Sequence, residues 1–226
     1  MYQCDAYPNW YDTVEREVAG GDCYLCRRAE QPAALFETPT LYVIPHMAPL
    51  QPGHVVIVSK THVRCYAEAP DAVLRDLNVA IYIVQRFLTD AYGYSVFGQE
   101  NGAVGWAVYH AHINLYPLPT SQLPASLLNN VDVVAIDSWE PVRALYKREA
   151  CYRYVYFAGE RRLMPGHGAA SGMLVQWLRT VTGLRRTPKT LDGWVRTATI
   201  DDVRDVERRW AAYDSARSDT NPISGA

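Results

Sequence analysis

Residues able to do chemistry gather at three places in this chain: Cys23-Tyr24-Leu25-Cys26, Lys60-Thr61-His62, and residues 108–117, which hold His110, His112 and Asn114. In the last stretch polar and apolar residues alternate. On a β-strand that period of two puts His110, His112 and Asn114 on one face and Ala111, Ile113 and Leu115 on the other. Two imidazoles and a carboxamide in a row make a poor core and a good site. The plain alternative is a half-buried edge strand with solvated histidines, which the presence of Cys23, Cys26 and His62 weighs against. Two cysteines three apart can chelate one ion from a tight turn, as in half of a tetrahedral zinc site. The same spacing serves thiol redox chemistry, but that calls for a following β-α-β unit, and strands follow here. His62, at the end of a strongly apolar strand, is the third ligand candidate. Cys4, Cys65 and Cys151 have no paired spacing and read as small hydrophobes.

The elements that must position these groups follow from pattern. Residues 34–38 and 41–46 read as strands around a turn at Pro39, and 54–59 as a buried strand. Residues 70–92 form the clearest helix: Val73, Leu74, Leu77, Ala80, Ile81, Val84, Phe87 and Leu88 repeat at helical spacing, and Gly93 stops it. Residues 94–99 form a strand. The loop 100–105 then leads into the histidine strand, and its glycines either let backbone amides approach an anion or simply turn the chain. A short helix is expected at 10–18. Beyond Pro119 a polar connector, 120–130, precedes strands at 132–136, 152–158 and 162–164. Helices are expected at 138–150, 171–181 and 201–217, with a disordered tail over 218–226.

Bulk properties narrow the function. A net charge of -2 over 226 residues argues against broad capture of nucleic acid or of an anionic membrane. No apolar run approaches the roughly 20 residues needed to span a bilayer, and the first ten residues lack a signal-peptide pattern. Five cysteines, an odd number with one close pair, fit a reducing cytoplasm better than a disulfide framework.

The ordered series Cys23-x-x-Cys26, Pro52-Gly53-His54-Val-Val-Ile-Val-Ser-Lys60-Thr61-His62, the long helix, Glu100-Asn101-Gly102 and His110-Ala-His112-Ile-Asn114 resembles the histidine triad superfamily of nucleotide hydrolases and transferases. It spans roughly residues 22–118, and the segment after it is similar, more weakly, to the C-terminal extension of a bacterial subgroup. The resemblance implies an α+β fold, an antiparallel sheet of about five strands with a long packed helix, followed by a C-terminal α/β extension. It divides the chain into 1–119, 120–217 and a tail, 218–226. It implies a structural Zn2+ held by Cys23, Cys26, His62 and His110, closed to water because all four positions are taken. It makes His112 the nucleophile, attacking phosphorus to give a nucleotidyl-histidine intermediate, with its other ring nitrogen held by a backbone carbonyl.

Substrate contacts are then expected from His46, Gln99, Asn101, Gly105, Trp106 and Ala107, and Asn114 joins His112 as a catalytic residue, its carboxamide a candidate donor to the phosphoryl oxygens. Three departures stand out. Asn114 replaces the third histidine, although galactose-1-phosphate uridylyltransferase, a relative, has glutamine there. Trp106 and Ala107 replace a common Gln and Ser. His46 stands where many members place an acidic residue. His54 matches a common family residue, and here it and His167 are read as structural or solvated. The expectation is a cytoplasmic homodimer acting on a small nucleotide-like substrate, with no nucleic acid polymer and no membrane. The alternative is a zinc-stabilised protein of altered triad that binds a ligand or runs non-phosphoryl chemistry.

Overall fold

A computed structural model describes residues 23–46, 49, 51–104, 110–120, 123–182 and 198–220. Eight strands form one sheet in the order β1-β2-β3-β5-β4-β7-β8-β6, with every neighbouring pair antiparallel. They are β1 (Phe36–Glu37), β2 (Leu41–Pro45), β3 (Val55–Ser59), β4 (Ser95–Glu100), β5 (His112–Leu118), β6 (Val134–Ala135), β7 (Tyr152–Phe157) and β8 (Glu160–Pro165). The first five make the expected sheet. The last three continue it from β4, so the C-terminal half adds strands to the same sheet.

Helix α1 (Asp71–Tyr92) buries the eight apolar side chains that its periodicity marks. Its end is fixed by Gly93, whose φ of 73° suits a residue without a Cβ and whose N–H closes on the Thr89 carbonyl. The short α2 (Ala125–Leu128) follows β5, then α3 (Glu140–Glu149), α4 (Ala169–Thr182) and α5 (Ala198–Thr220). The sheet separates two environments. Val55, Ile57, Ala111, Ile113 and Leu115 pack with α1, with Val142 and Leu145 of α3, and with Val206 and Trp210 of α5. On the other face Phe97, Tyr116, Leu118, Val155 and Phe157 pack under Leu174 and Leu178 of α4. A third cluster there joins Cys23 and Leu25 to Tyr42, Ile44, Val56 and Val58.

Several expectations need correction. β5 begins at His112, so His110 is not part of the strand; it precedes it in a bend. Glu100 is not in the loop but closes β4. Residues 218–220, expected in a disordered tail, continue α5. The helix expected at 10–18 lies outside the described residues. No helix among the described residues is long and apolar enough to cross a membrane.

Candidate functional site

Side-chain alternation continues through the bend before β5, so the polar groups still collect on one side of the sheet. Ala111 and Ile113 enter the core below, while His110 turns toward the cysteines. The Cys23-Cys26 turn is closed by the Cys26 N–H on the Cys23 carbonyl at 2.9 Å, and tied to β2 by the Tyr42 hydroxyl donating to the Leu25 carbonyl at 2.5 Å. Cys23 and His110 are buried; Cys26 and His62 face outward.

The four ligand atoms of Cys23, Cys26, His62 and His110 lie within 4.8 Å of one another. Cys23 Sγ is 3.4 Å from His110 Nδ1, Cys26 Sγ is 3.2 Å from His62 Nδ1, and Cys26 Sγ is 3.5 Å from His110 Nδ1. Sulfur and nitrogen bound tetrahedrally to one zinc would stand roughly 3.5 Å apart, given usual bond lengths of about 2.3 and 2.0 Å. The donor set fits. His110 is also prepared for it: its Nε2–H donates to the Ser59 carbonyl at 2.7 Å, which leaves the Nδ1 lone pair facing the sulfurs. Burial holds His110 down to about 4, so the ring is neutral. This cluster could hold a metal ion.

His112, two residues on, is half-buried. Its Nδ1–H donates to the His110 carbonyl at 2.7 Å, the backbone contact expected of a nucleophile, and Nε2 keeps its lone pair. Desolvation lowers its pKa below the ordinary imidazole value, with the His110 carbonyl pulling weakly the other way. Asn114 lies across β4–β5 from Gln99 and across β3–β5 from Val56. The Asn114 oxygen accepts from His54 Nε2–H at 3.1 Å, leaving its amide N–H groups as donors for something else. The Gln99 side-chain oxygen is buried without a partner among the described residues.

His54 is the residue that sequence reasoning undervalued. It is 2% exposed, not solvated, and it couples two site groups: it bonds Asn114 and stacks on His46 with ring centroids 4.1 Å apart at 10°. The stack follows from pairing, because the His46 N–H bonds the His54 carbonyl and places the two side chains opposite each other. The signal was available: His54, Val56 and Val58 alternate in the next strand as His112, Asn114 and Tyr116 do. Burial, and then His46 beside it, hold His54 well below its ordinary pKa. Asn101 sits in the turn after β4, its oxygen accepting from Arg153 Nη1–H at 2.5 Å. Gly105, Trp106 and Ala107 lie outside the described residues, and His167 is exposed.

A family model described as HIT domain matches residues 28–118. This part of the chain is a HIT domain. Its match begins after Cys23 and Cys26 and ends with β5, so β6 to β8 and the last helices lie beyond it. No curated protein sequence matches the chain significantly. Among solved structures, it is similar to a Hit-like protein involved in cell-cycle regulation from Bartonella henselae, at 21% identity over 41% of this chain and 73% of that one, TM-score 0.37. A HIT family hydrolase from Clostridium thermocellum is 23% identical over 46% of this chain and 96% of its own, TM-score 0.39. A zinc-bound histidine triad family protein from Mycobacterium smegmatis is 17% identical over 46% and 73%, TM-score 0.33. At these scores the overlaps add no argument of their own. The HIT domain carries every expected site residue except Cys23 and Cys26, which stand just before the match.

Proposed function

We propose that this protein is a nucleotide hydrolase or nucleotidyltransferase working through a covalent nucleotidyl-histidine on His112. HIT family proteins are in general nucleotide hydrolases and transferases. The observation that carries the reading here is the His112 ring: Nδ1–H is engaged by the His110 carbonyl, and desolvation keeps Nε2 unprotonated. Nε2 attacks phosphorus, the bond from phosphorus to the leaving atom breaks, and its electron pair departs with the leaving group. Water or an acceptor hydroxyl then attacks the same phosphorus, the phosphorus–nitrogen bond returns its electrons to Nε2, and the attacking oxygen loses its proton. The Asn114 amide and the backbone amides of residues 102–104 are the candidate donors to the phosphoryl oxygens. A carboxamide has no proton to give at useful pKa, so substrates whose leaving group departs without protonation suit this site best.

His46 and His54 would stack beneath the nucleoside. Cys23, Cys26, His62 and His110 would hold a structural Zn2+, which supplies cross-linking of the N-terminal turn to the catalytic strand. His110 thereby serves both sites, as a ligand by its ring and as an anchor for His112 by its carbonyl. The expected assembly is a cytoplasmic homodimer. The test is intact-mass analysis after brief exposure to a panel of nucleotides and nucleoside phosphoramidates, wild type beside His112→Ala. A nucleotidyl adduct on wild type alone supports the reading. Binding with neither adduct nor product across the panel sinks it, and leaves a metal-stabilised binding protein.

A further inference from the structure

The second half of the chain places one cation where the proposed chemistry would use it. Val155 of β7 lies opposite Gln99, and Tyr154 opposite Glu100. The Tyr152 N–H continues this pairing past the end of β4, donating to the Gly102 carbonyl at 2.9 Å. Arg153 therefore stands opposite Asn101, and continuing the β4–β5 register puts Asn101 opposite His112. Asn114, Gln99 and Val155 form one row across three strands, and His112, Asn101 and Arg153 each lie two residues beyond it, on the same face. With strands about 4.8 Å apart, the backbones of Asn114 and Val155 in that row are about 10 Å apart.

The guanidinium is not positioned by an ion pair. Its Nε–H donates to the Ser171 hydroxyl in the first turn of α4, and Nη1–H donates to the Asn101 oxygen. Ser171 in turn donates to the Gly166 carbonyl at 2.8 Å. Among the described residues no carboxylate pairs with Arg153, though it is half-buried and desolvation acts against its charge. Arg75, Arg86 and Arg161 also lack an ion pair among the described residues, but Arg153 differs from Arg86, whose guanidinium bonds a tyrosine on the exposed face of α1, in being tied to two neutral oxygens at the end of β4. A partly buried cation held only by neutral oxygens is costly unless an anion completes it. The turn below is also built for contact with β7: a Cβ on Gly102 would fall 2.5 Å from the Tyr152 ring.

We propose that Arg153 holds a second anionic group of the substrate, a phosphate or carboxylate on the leaving group. This rests on the phosphoryl-transfer reading above. The direction follows from strand order: His46 and His54 flank β5 on the β3 side, and Asn101 and Arg153 flank it on the β4–β7 side. A nucleoside over the stacked histidines puts the phosphorus at His112 and the departing group toward Arg153. Arg153 is a specificity-determining residue supplied from outside the HIT domain, and Asn101 orients it.

The test compares substrates that differ in that charge and whose phenolate departs without a proton: nucleoside 5′-phosphate esters of 4-hydroxybenzoate and of methyl 4-hydroxybenzoate, across the common bases. Wild type should favour the free carboxylate in kcat/KM by roughly tenfold or more, the yield of one charge-assisted bidentate contact. In Arg153→Gln the ratio should fall to about twofold or less, and Arg153→Lys should keep part of it. An unchanged ratio in Arg153→Gln, or equal loss of both substrates, overturns the proposal and leaves Arg153 as a tie between Asn101 and α4. If Arg153→Gln does not fold, wild type and Arg153→Lys decide, and a wild-type ratio near one overturns it. Should nothing turn over, the phosphoryl-transfer reading fails by itself. The anion subsite is then judged by calorimetry with AMP and ADP: extra affinity for ADP that Arg153→Gln loses supports it, and no extra affinity ends it.

Discussion

Two groups of histidines meet at the start of β5, and they are built to opposite ends. Around His110 the neighbours are thiols, the donor atoms converge within 4.8 Å, and all four directions are taken by protein. Around His112 the neighbours are an amide and two more imidazoles, each already satisfied on one side, with Nε2 of His112 and the Asn114 amide left over. The first arrangement could hold a metal ion; the second leaves a ring nitrogen and an amide unused. Two residues separate them because a strand turns every second side chain to the same face, and a single carbonyl, that of His110, links them.

The sharpest break of this contrast is His112→Ala, which should lower turnover on the order of 10³-fold or more while leaving metal content intact. Elemental analysis and steady-state kinetics on one preparation check both halves. The pH profile refines it: because desolvation lowers the His112 pKa, the acid limb of kcat/KM should fall below the ordinary imidazole value of 6.5. A limb at or above 6.5 would mean that the ring is solvated in use. Cys26→Ser should do the reverse of His112→Ala, releasing the metal to a chelator and lowering the melting temperature by about 10 °C. His54→Ala probes the open cluster without touching the closed one. It removes the donor to Asn114 and the stack under His46, and should cost about 10–100-fold in kcat/KM with the metal retained.

The smallest effect concerns a group on the other face of the sheet. Glu100 is 3% exposed; its carboxyl accepts from the Tyr66 N–H at 2.7 Å and the Tyr152 hydroxyl at 2.6 Å. Burial pushes it up to about 8, with those two bonds pulling weakly downward. The native state thus favours the protonated form more than the unfolded chain does. Stability is therefore fullest below the ordinary 4.5 and declines as pH climbs from there toward about 8. Glu100→Gln should flatten that decline, by about 1–2 kcal/mol between pH 6 and 8 in urea midpoints.

What the sequence disclosed about these clusters was local. The two-residue alternation of 111, 113 and 115, the CxxC turn, the helical stripe of α1 and its stop at Gly93 all depend on neighbours in the chain, and all appear where expected. The role of His54 depends on strand pairing: only the β2–β3 and β3–β5 registers bring it against His46 and Asn114. Arg153 was invisible for the same reason, since nothing near it in sequence hints at Asn101, 52 positions earlier. The bend at His110 was missed because alternation alone cannot say where hydrogen-bonded pairing begins.

The way β7 lies along β4 has a consequence for solubility. In the full sheet the two outermost strands, β1 and β6, are two residues each, too short to template another chain. Without the segment after Pro119 the outermost strand would be β4, six residues including Val96 and Phe97, with a row of unpaired backbone N–H and C=O groups. The C-terminal half is thus a cover for a sticky edge. A chain cut after Pro119 should pair through β4 with copies of itself, and light scattering against the full-length protein would register that as concentration-dependent growth in size.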